Sequence, residues 1–322
     1  MHPTPIHLAL RLILLTLIPT AVAQAEVAVI LNSGDDSITL VDRATYQPIK
    51  TFPIGKEPHH LMATPDDKEL IVANAAGNDM VFLNPANGEI LRRLARISDP
   101  YQIGYSPDKK WFVSNSLRLD RVDIYHAGDF RLAKRLATPK TPSHLAFDHG
   151  SHYVFITLQE SDEIVAIDLK TLEVAWKHPV GRQPAGIWMT ADDKHLLVAI
   201  TGEDNVLVID WRARQTIKKL VTGKGAHNFL PMGDKRHVLL SNRMNNTISI
   251  LDMQTLEVKE TFRVPGGPDD MELARDGKEL WVTSRWIKQV QIVDLTTRKV
   301  VRSIPVGRSP HGIYFHSHAA RE

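Results

Sequence analysis

Cysteine is missing from the chain altogether. That excludes disulfides, thiol catalysis, CxxC redox motifs, haem attachment through Cys, thiolate zinc sites and a lipid-modified N-terminal Cys. An excess of one charge is missing too. Lys+Arg number 39 against 37 Asp+Glu, a formal net charge of +2. No broad basic field arises, so nucleic acid is not an expected partner. Beyond the N-terminal 25 residues no segment approaches 18 uninterrupted apolar positions, which argues against a membrane-spanning helix in the mature chain. The P-loop, GxGxxG after a strand, GxSxG and HExxH are absent. Gly223-Lys224-Gly225-Ala226-His227 is glycine-rich, but no helical pattern follows it to present a phosphate site.

What is present begins with a targeting segment. In residues 1–25 an apolar run, Leu12 to Ala23, follows Arg11, and small residues stand at Ala21, Ala23 and Ala25. Two overlapping A-x-A patterns end there, so cleavage is expected after Ala23 or Ala25. A membrane anchor is the alternative reading of these residues. The apolar run is shorter than the roughly 20 residues a spanning helix needs. The expectation is therefore a periplasmic or secreted protein, with residues 1–25 a signal peptide and residues 26–322 a single domain.

That domain is periodic. Pro58, Pro100, Pro142, Pro184, Pro268 and Pro310, with Ala226 in the remaining slot, recur at a spacing of 42 residues. A second ladder at the same spacing runs Asp42, Asn84, His126, Asp168, Asp210, Asp252 and Asp294. Strand-end triplets of V-x-N type recur as well: Val72-Ala73-Asn74, Val113-Ser114-Asn115, Leu240-Ser241-Asn242 and Val282-Thr283-Ser284. Each period holds four short runs rich in β-branched residues, none of helix length. Turn chemistry separates them, as in Thr64-Pro65-Asp66-Asp67 and Ser106-Pro107-Asp108. The Asp of the second ladder can accept backbone N–H groups just ahead and close the turn into the fourth strand.

Four strands per 42 residues, repeated, is the pattern of β-propeller blades; solenoid coils are shorter. Six complete periods lie between Pro58 and Pro310. One strand, His311 to Phe315, remains after them, and Val27 to Ile54 supply three more before them. Joined, these complete a seventh blade. The expected fold is all-β: a seven-bladed propeller of four-stranded blades closed by a 3+1 clasp, which leaves no sheet edge open at the ends.

The Gly-x-x-Pro openings (Gly55 to Pro58, Gly181 to Pro184, Gly307 to Pro310), the S/T-P-D turns, the V-x-N strand ends and the V-x-V-I-D third strands resemble the YVTN family of seven-bladed propellers, YncE-like exported proteins. The resemblance covers nearly all of residues 26–322. It implies the fold and export, and commonly no established catalytic activity. Propellers of related architecture bind haem in periplasmic nitrite reductases, hydrolyse lactones, or touch nucleic acid, so the fold does not choose a function.

The repeat itself points to a site. The loop from an outer strand to the next inner strand opens around the channel, and the two residues after the Pro slot fall there in every blade. They read His59-His60, Tyr101-Gln102, Ser143-His144, Ala185-Gly186, His227-Asn228, Asp269-Asp270 and His311-Gly312. Five of the fourteen slots are His, although the whole chain has only 15 His in 322 residues. Loops between second and third strands add Arg118, Glu160, Arg243, Arg285 and Trp286 on the same face. The expectation is a His-rich channel mouth. His59, His60, His227, His311, Arg243 and Arg285 would hold a cofactor, and His59, His60, His311, Asp269 and Asp270 would hold a metal, with His144 in the same ring. His and carboxylate donors without thiolate suit copper, zinc, nickel or iron, and Arg suits ligand carboxylates or phosphates. A polar rim whose imidazoles merely bond backbone carbonyls accounts for the same residues. Trp111, Trp176, Trp188, Trp211 and Trp281 are expected to pack between blades.

Three functions compete on this sequence. The first is a non-catalytic, monomeric, exported propeller binding a small ligand or a periplasmic protein partner at the mouth. The second is a metal- or haem-type tetrapyrrole-binding propeller with a redox or cofactor-delivery role. His59 occupies a place similar to that of the axial His of the haem-binding propellers, but no CxxCH accompanies it. The third is a lactonase-type hydrolase using Asp269, Asp270, Arg243, Arg285 and His227.

Overall fold

A computed structural model describes residues 26–321; the expected signal segment and its cleavage sites lie outside the described residues. Among the described residues, twenty-eight strands form seven four-stranded antiparallel sheets. Blade 1 consists of Pro58–Ala63, Leu70–Asn74, Asp79–Leu83 and Ile90–Ala95. The inner strands of blades 2 to 6 are Gln102–Tyr105, Pro142–Phe147, Pro184–Met189, Ala226–Pro231 and Pro268–Leu273. Blade 7 is the predicted clasp. Pro310–Phe315 is its inner strand and pairs with Val27–Asn32, placing Ala28 opposite Phe315 and Val29 opposite Tyr314. The seven inner strands touch one another in a closed ring.

Local chemistry explains this order. Second and third strands are buried along most of their length, as in Leu70–Asn74 and Asp79–Leu83, because both of their faces meet neighbouring blades. Outer strands such as Ile90–Ala95 and Gln215–Val221 are mostly exposed and carry the charge. The Asp ladder acts as the sequence suggests. Asp42 Oδ1 accepts from the N–H groups of Ala44 (2.9 Å) and Thr45 (2.8 Å), and Asp168, Asp210, Asp252 and Asp294 repeat the arrangement. The blades bury separate apolar clusters between them, one holding Leu31, Leu61, Val72 and Tyr314 across the clasp. Trp281 and Trp211 lie in these interfaces, fully and nearly buried. No helix among the described residues is long and apolar enough to cross a membrane.

One irregularity positions the channel residues. Just after the Pro slot the inner strand slips register against the second strand, in blade 3 between Pro142 and Leu145, in blade 5 between Ala226 and Phe229, and in blade 6 between Pro268 and Met271. The slip frees a backbone N–H from the ladder. A hydroxyl at the middle of the V-x-N-type triplet takes it: Thr157 from His144 (3.0 Å), Ser241 from Asn228 (3.1 Å), Thr283 from Asp270 (2.9 Å). The bulge lets two successive residues serve the channel at different depths.

Candidate functional site: a plugged channel above an open cavity

The first residue after the Pro slot belongs to a plug. His59, His227, Asp269 and His311 are all at least 95% buried. The rings of His59 and His311 lie 3.9 Å apart, His59 stacks on Tyr101 at 3.8 Å, and His144 meets His227 edge-on at 4.9 Å. His59 donates from Nδ1 to the Tyr101 carbonyl at 2.9 Å, so its Nδ1 carries the proton.

Asp269 is the centre of the plug. Arg243 donates to its Oδ1 from Nε at 2.7 Å and from a terminal nitrogen, and Arg285 donates to Oδ2 at 3.1 Å. His227 Nδ1 stands 3.3 Å from Oδ1 and His311 Nε2 3.6 Å from Oδ2. Burial alone would raise the Asp269 pKa, but the charges of Arg243 and Arg285 and the Arg243 hydrogen bond outweigh it and hold the carboxyl below its ordinary range. Burial pushes His59, His227 and His311 well below the usual imidazole value, with the guanidiniums adding to the effect. The plug is thus an ionised carboxylate under two arginines, among neutral imidazoles.

The second residue after the Pro slot lies deeper and faces a cavity of about 750 Å³ inside the channel. Its floor is made by His60, Gln102, His144, Asn228 and Asp270. Its walls include Met62, Tyr105, Phe147, Trp188 and Leu230. Pro107, His149, Ala191 and Lys235, on turns between first and second strands, also line it, so it opens on the face opposite the plug. Glycine at one floor slot is obligatory: a Cβ on Gly186 would stand 2.1 Å from the His227 carbonyl oxygen. Asn228 Nδ2 donates to Asp270 Oδ1 at 3.0 Å. Burial first, then the neighbouring Asp269 charge, raises Asp270 to about 7. Burial also raises Glu272 to about 7 against the pull of Arg321, which donates to Glu272 Oε2. His60 and His144 are lowered by burial to about 4 and about 3.

Arg321 arrives from the segment after blade 7. Ala319 donates to the Leu273 carbonyl at 2.7 Å and Arg275 to the Ser317 carbonyl at 3.0 Å, fastening this tail across the end of blade 6.

The residues expected in one mouth cluster are therefore divided. The plug takes His59, His227, Asp269 and His311, with Arg243 and Arg285 over it. The cavity floor on the other side takes His60, His144 and Asp270. The expectation of an open His-rich mouth is corrected: side chains large enough to meet across the channel close it. Arg118 turns away to Glu57 and Asp99, and Trp286 is 55% exposed beside the plug. Among the described residues no three His, Cys, Asp or Glu converge as a metal set. Two guanidiniums on Asp269 also repel a divalent cation there, so the plug does not fit the expected metal. Trp188 packs against the apolar cluster between blades 4 and 5, as expected, and also lines the cavity. Glu272 and Arg321 were not foreseen. Glu272 carried a signal, because it follows Asp270 by two positions on one strand and shares its side. Arg321 carried none.

The comparisons agree with this architecture. A model of the YNCE-like beta-propeller family matches residues 11–321, so the chain belongs to that family. No curated protein matches the chain. Among solved structures it is similar to a functionally unknown protein from Desulfotomaculum acetoxidans, at 13% identity and a TM-score of 0.77, covering 92% of this chain and 100% of that one. It is also similar to the dihydro-heme d1 dehydrogenase NirN in complex with DHE, at 16% identity and a TM-score of 0.68, covering 92% and 76%. Hydrazine synthase of Kuenenia stuttgartiensis matches at 16% identity and a TM-score of 0.68, covering 82% and 96%. At these identities the likeness concerns the fold.

Proposed function

We propose that the protein is an exported, non-catalytic propeller that takes a small ligand into its central channel from the face opposite the plug. The observation that carries this reading is the cavity of about 750 Å³, inside the range of about 300–1,000 Å³ that ligand sites occupy, with an apolar wall and convergent polar groups on its floor. The lactonase reading is not favoured, since Asp269 is fully buried beneath Arg243 and Arg285 and closed to a substrate. The test is native mass spectrometry of the protein isolated from its own host. A co-purifying small molecule is expected in the parent and lost in Ala146→Trp, which fills the cavity, provided both melt alike. No bound molecule, or one retained by Ala146→Trp, overturns the reading.

A tetrapyrrole in the same cavity is the second reading. It is supported by His60, which lines the cavity with a buried Nδ1 that has no hydrogen-bond partner, and by the likeness to NirN. Such a group would supply a chromophore and a metal centre, and His60 is the residue that would hold it. An absorption spectrum of the natively isolated protein tests it. A Soret-region band lost in His60→Ala supports it; a colourless protein removes it.

A further inference from the structure

We propose that the cavity is built for an organic cation, an amine with an apolar or aromatic body, which Asp270 binds and Trp188 flanks. This deepens the ligand-binding reading above and rests on it.

The argument starts from charge balance inside the channel. The two acids that flank Asp270 on its own strand have cationic partners: Asp269 under Arg243 and Arg285, Glu272 against Arg321. Asp270 has none. Its Oδ1 accepts from Asn228 Nδ2 at 3.0 Å and from the Met271 N–H at 3.0 Å, both neutral donors. A carboxyl taken out of water without a counter-charge is costly, and proteins supply a partner or let the group take up a proton. Here it takes up a proton near neutrality, as its value of about 7 records.

The rest of the floor does not supply the missing cation. Imidazoles held at about 4 and about 3 leave His60 and His144 neutral at pH 7. Gln102 already accepts from the Leu145 N–H at 2.7 Å. The other charged or titratable groups on the cavity are Glu272 and Arg321, paired together, and Tyr105, His149 and Lys235 on the walls and toward the opening. A small inorganic cation does not suit the place, because among the described residues no three ligating side chains converge and most of the wall is apolar. An ammonium group on an apolar body matches both halves: its charge completes Asp270, and its body covers Trp188 and Met62. Tryptophan also attracts cations through its ring face.

Isothermal titration of the full chain with 2-phenylethylamine, 2-phenylethanol and phenylacetate tests the class. The amine is expected to bind at least about tenfold tighter than the alcohol or the acid. Since the amine needs ionised Asp270, its binding should tighten by about tenfold from about pH 6 to about pH 8 and release a proton at the lower pH. Asp270→Asn, which keeps the acceptor for Asn228, should lose the tenfold preference and the pH dependence. If that variant does not fold, the charge series on the parent decides. Equal or tighter binding of the alcohol or the acid, or undiminished amine binding by Asp270→Asn, overturns the cation proposal and leaves the cavity reading standing. Binding of none of the three at about 10 mM, above the roughly 1 mM range of weak fragments, overturns both.

Discussion

Arg243 reaches across from blade 5 to Asp269 of blade 6 and donates to its Oδ1 from Nε at 2.7 Å. The contact seals the channel at one end and ties two blades that also meet through apolar packing and the Asn228–Asp270 hydrogen bond. Asp269 is fully buried, so its carboxylate depends on the two guanidiniums to remain charged there. Asp269→Asn should cost about 3 kcal/mol, because Arg243 and Arg285 lose their counter-charge. Asp269 has a folded pKa below its ordinary 3.8. Its contribution is therefore present above about pH 4 and lost as pH falls through the folded value. Denaturant melts should show a parent–variant gap at pH 7 that narrows in strong acid.

Asp270 behaves in the opposite sense. Its pKa rises from 3.8 to about 7 on folding, so the protonated form favours the fold and stability is lost as pH climbs through that window. Asp270→Asn should match the parent below about pH 4 and exceed it by about 1–3 kcal/mol above about pH 7. Paired urea melts across that range check this; a variant less stable at pH 8 would contradict the assignment.

Deleting everything after Arg308 removes Ile313, Tyr314 and Phe315, which are 3%, 0% and 0% exposed. At about 1.5–3 kcal/mol for each large apolar side chain, and with Val27–Asn32 left as an open edge, most of the roughly 5–15 kcal/mol holding a domain is lost. Insoluble protein, or a sharply lowered thermal midpoint, is expected. A truncated chain that melts unchanged would sink the clasp as a source of stability.

Replacing His59 and His311 together by Ala should destabilise the fold, because both rings are buried in the plug against each other and Tyr101. A cost of about 2–4 kcal/mol is expected. His60→Ala, at the cavity floor, should cost less. Thermal melts of the two variants beside the parent give the order.

N-terminal sequencing of protein recovered from the host's periplasm or medium is expected to begin at Gln24 or Glu26, after cleavage at an A-x-A site. Protein that keeps Met1 in the cytoplasm would refute export.

The sequence determined the fold because each blade is a local statement repeated. The Pro slots, the Asp ladder and the Ser/Thr of the strand-end triplets specify turns and pairings within 42 residues, and the clasp follows from counting strands. It also determined which residues approach the channel. The side of the channel each would serve was decided only by the tertiary structure. His59 and His60 are neighbours in the chain, yet a register slip sends one to the plug and the other to the cavity. The pairing of Asp269 with Arg243 of the preceding blade and Arg285 of its own, and the arrival of Arg321 at Glu272 from the tail after blade 7, are contacts between separate strands. No local pattern encodes them, because the groups they join are far apart in the repeat and meet only when the blades pack.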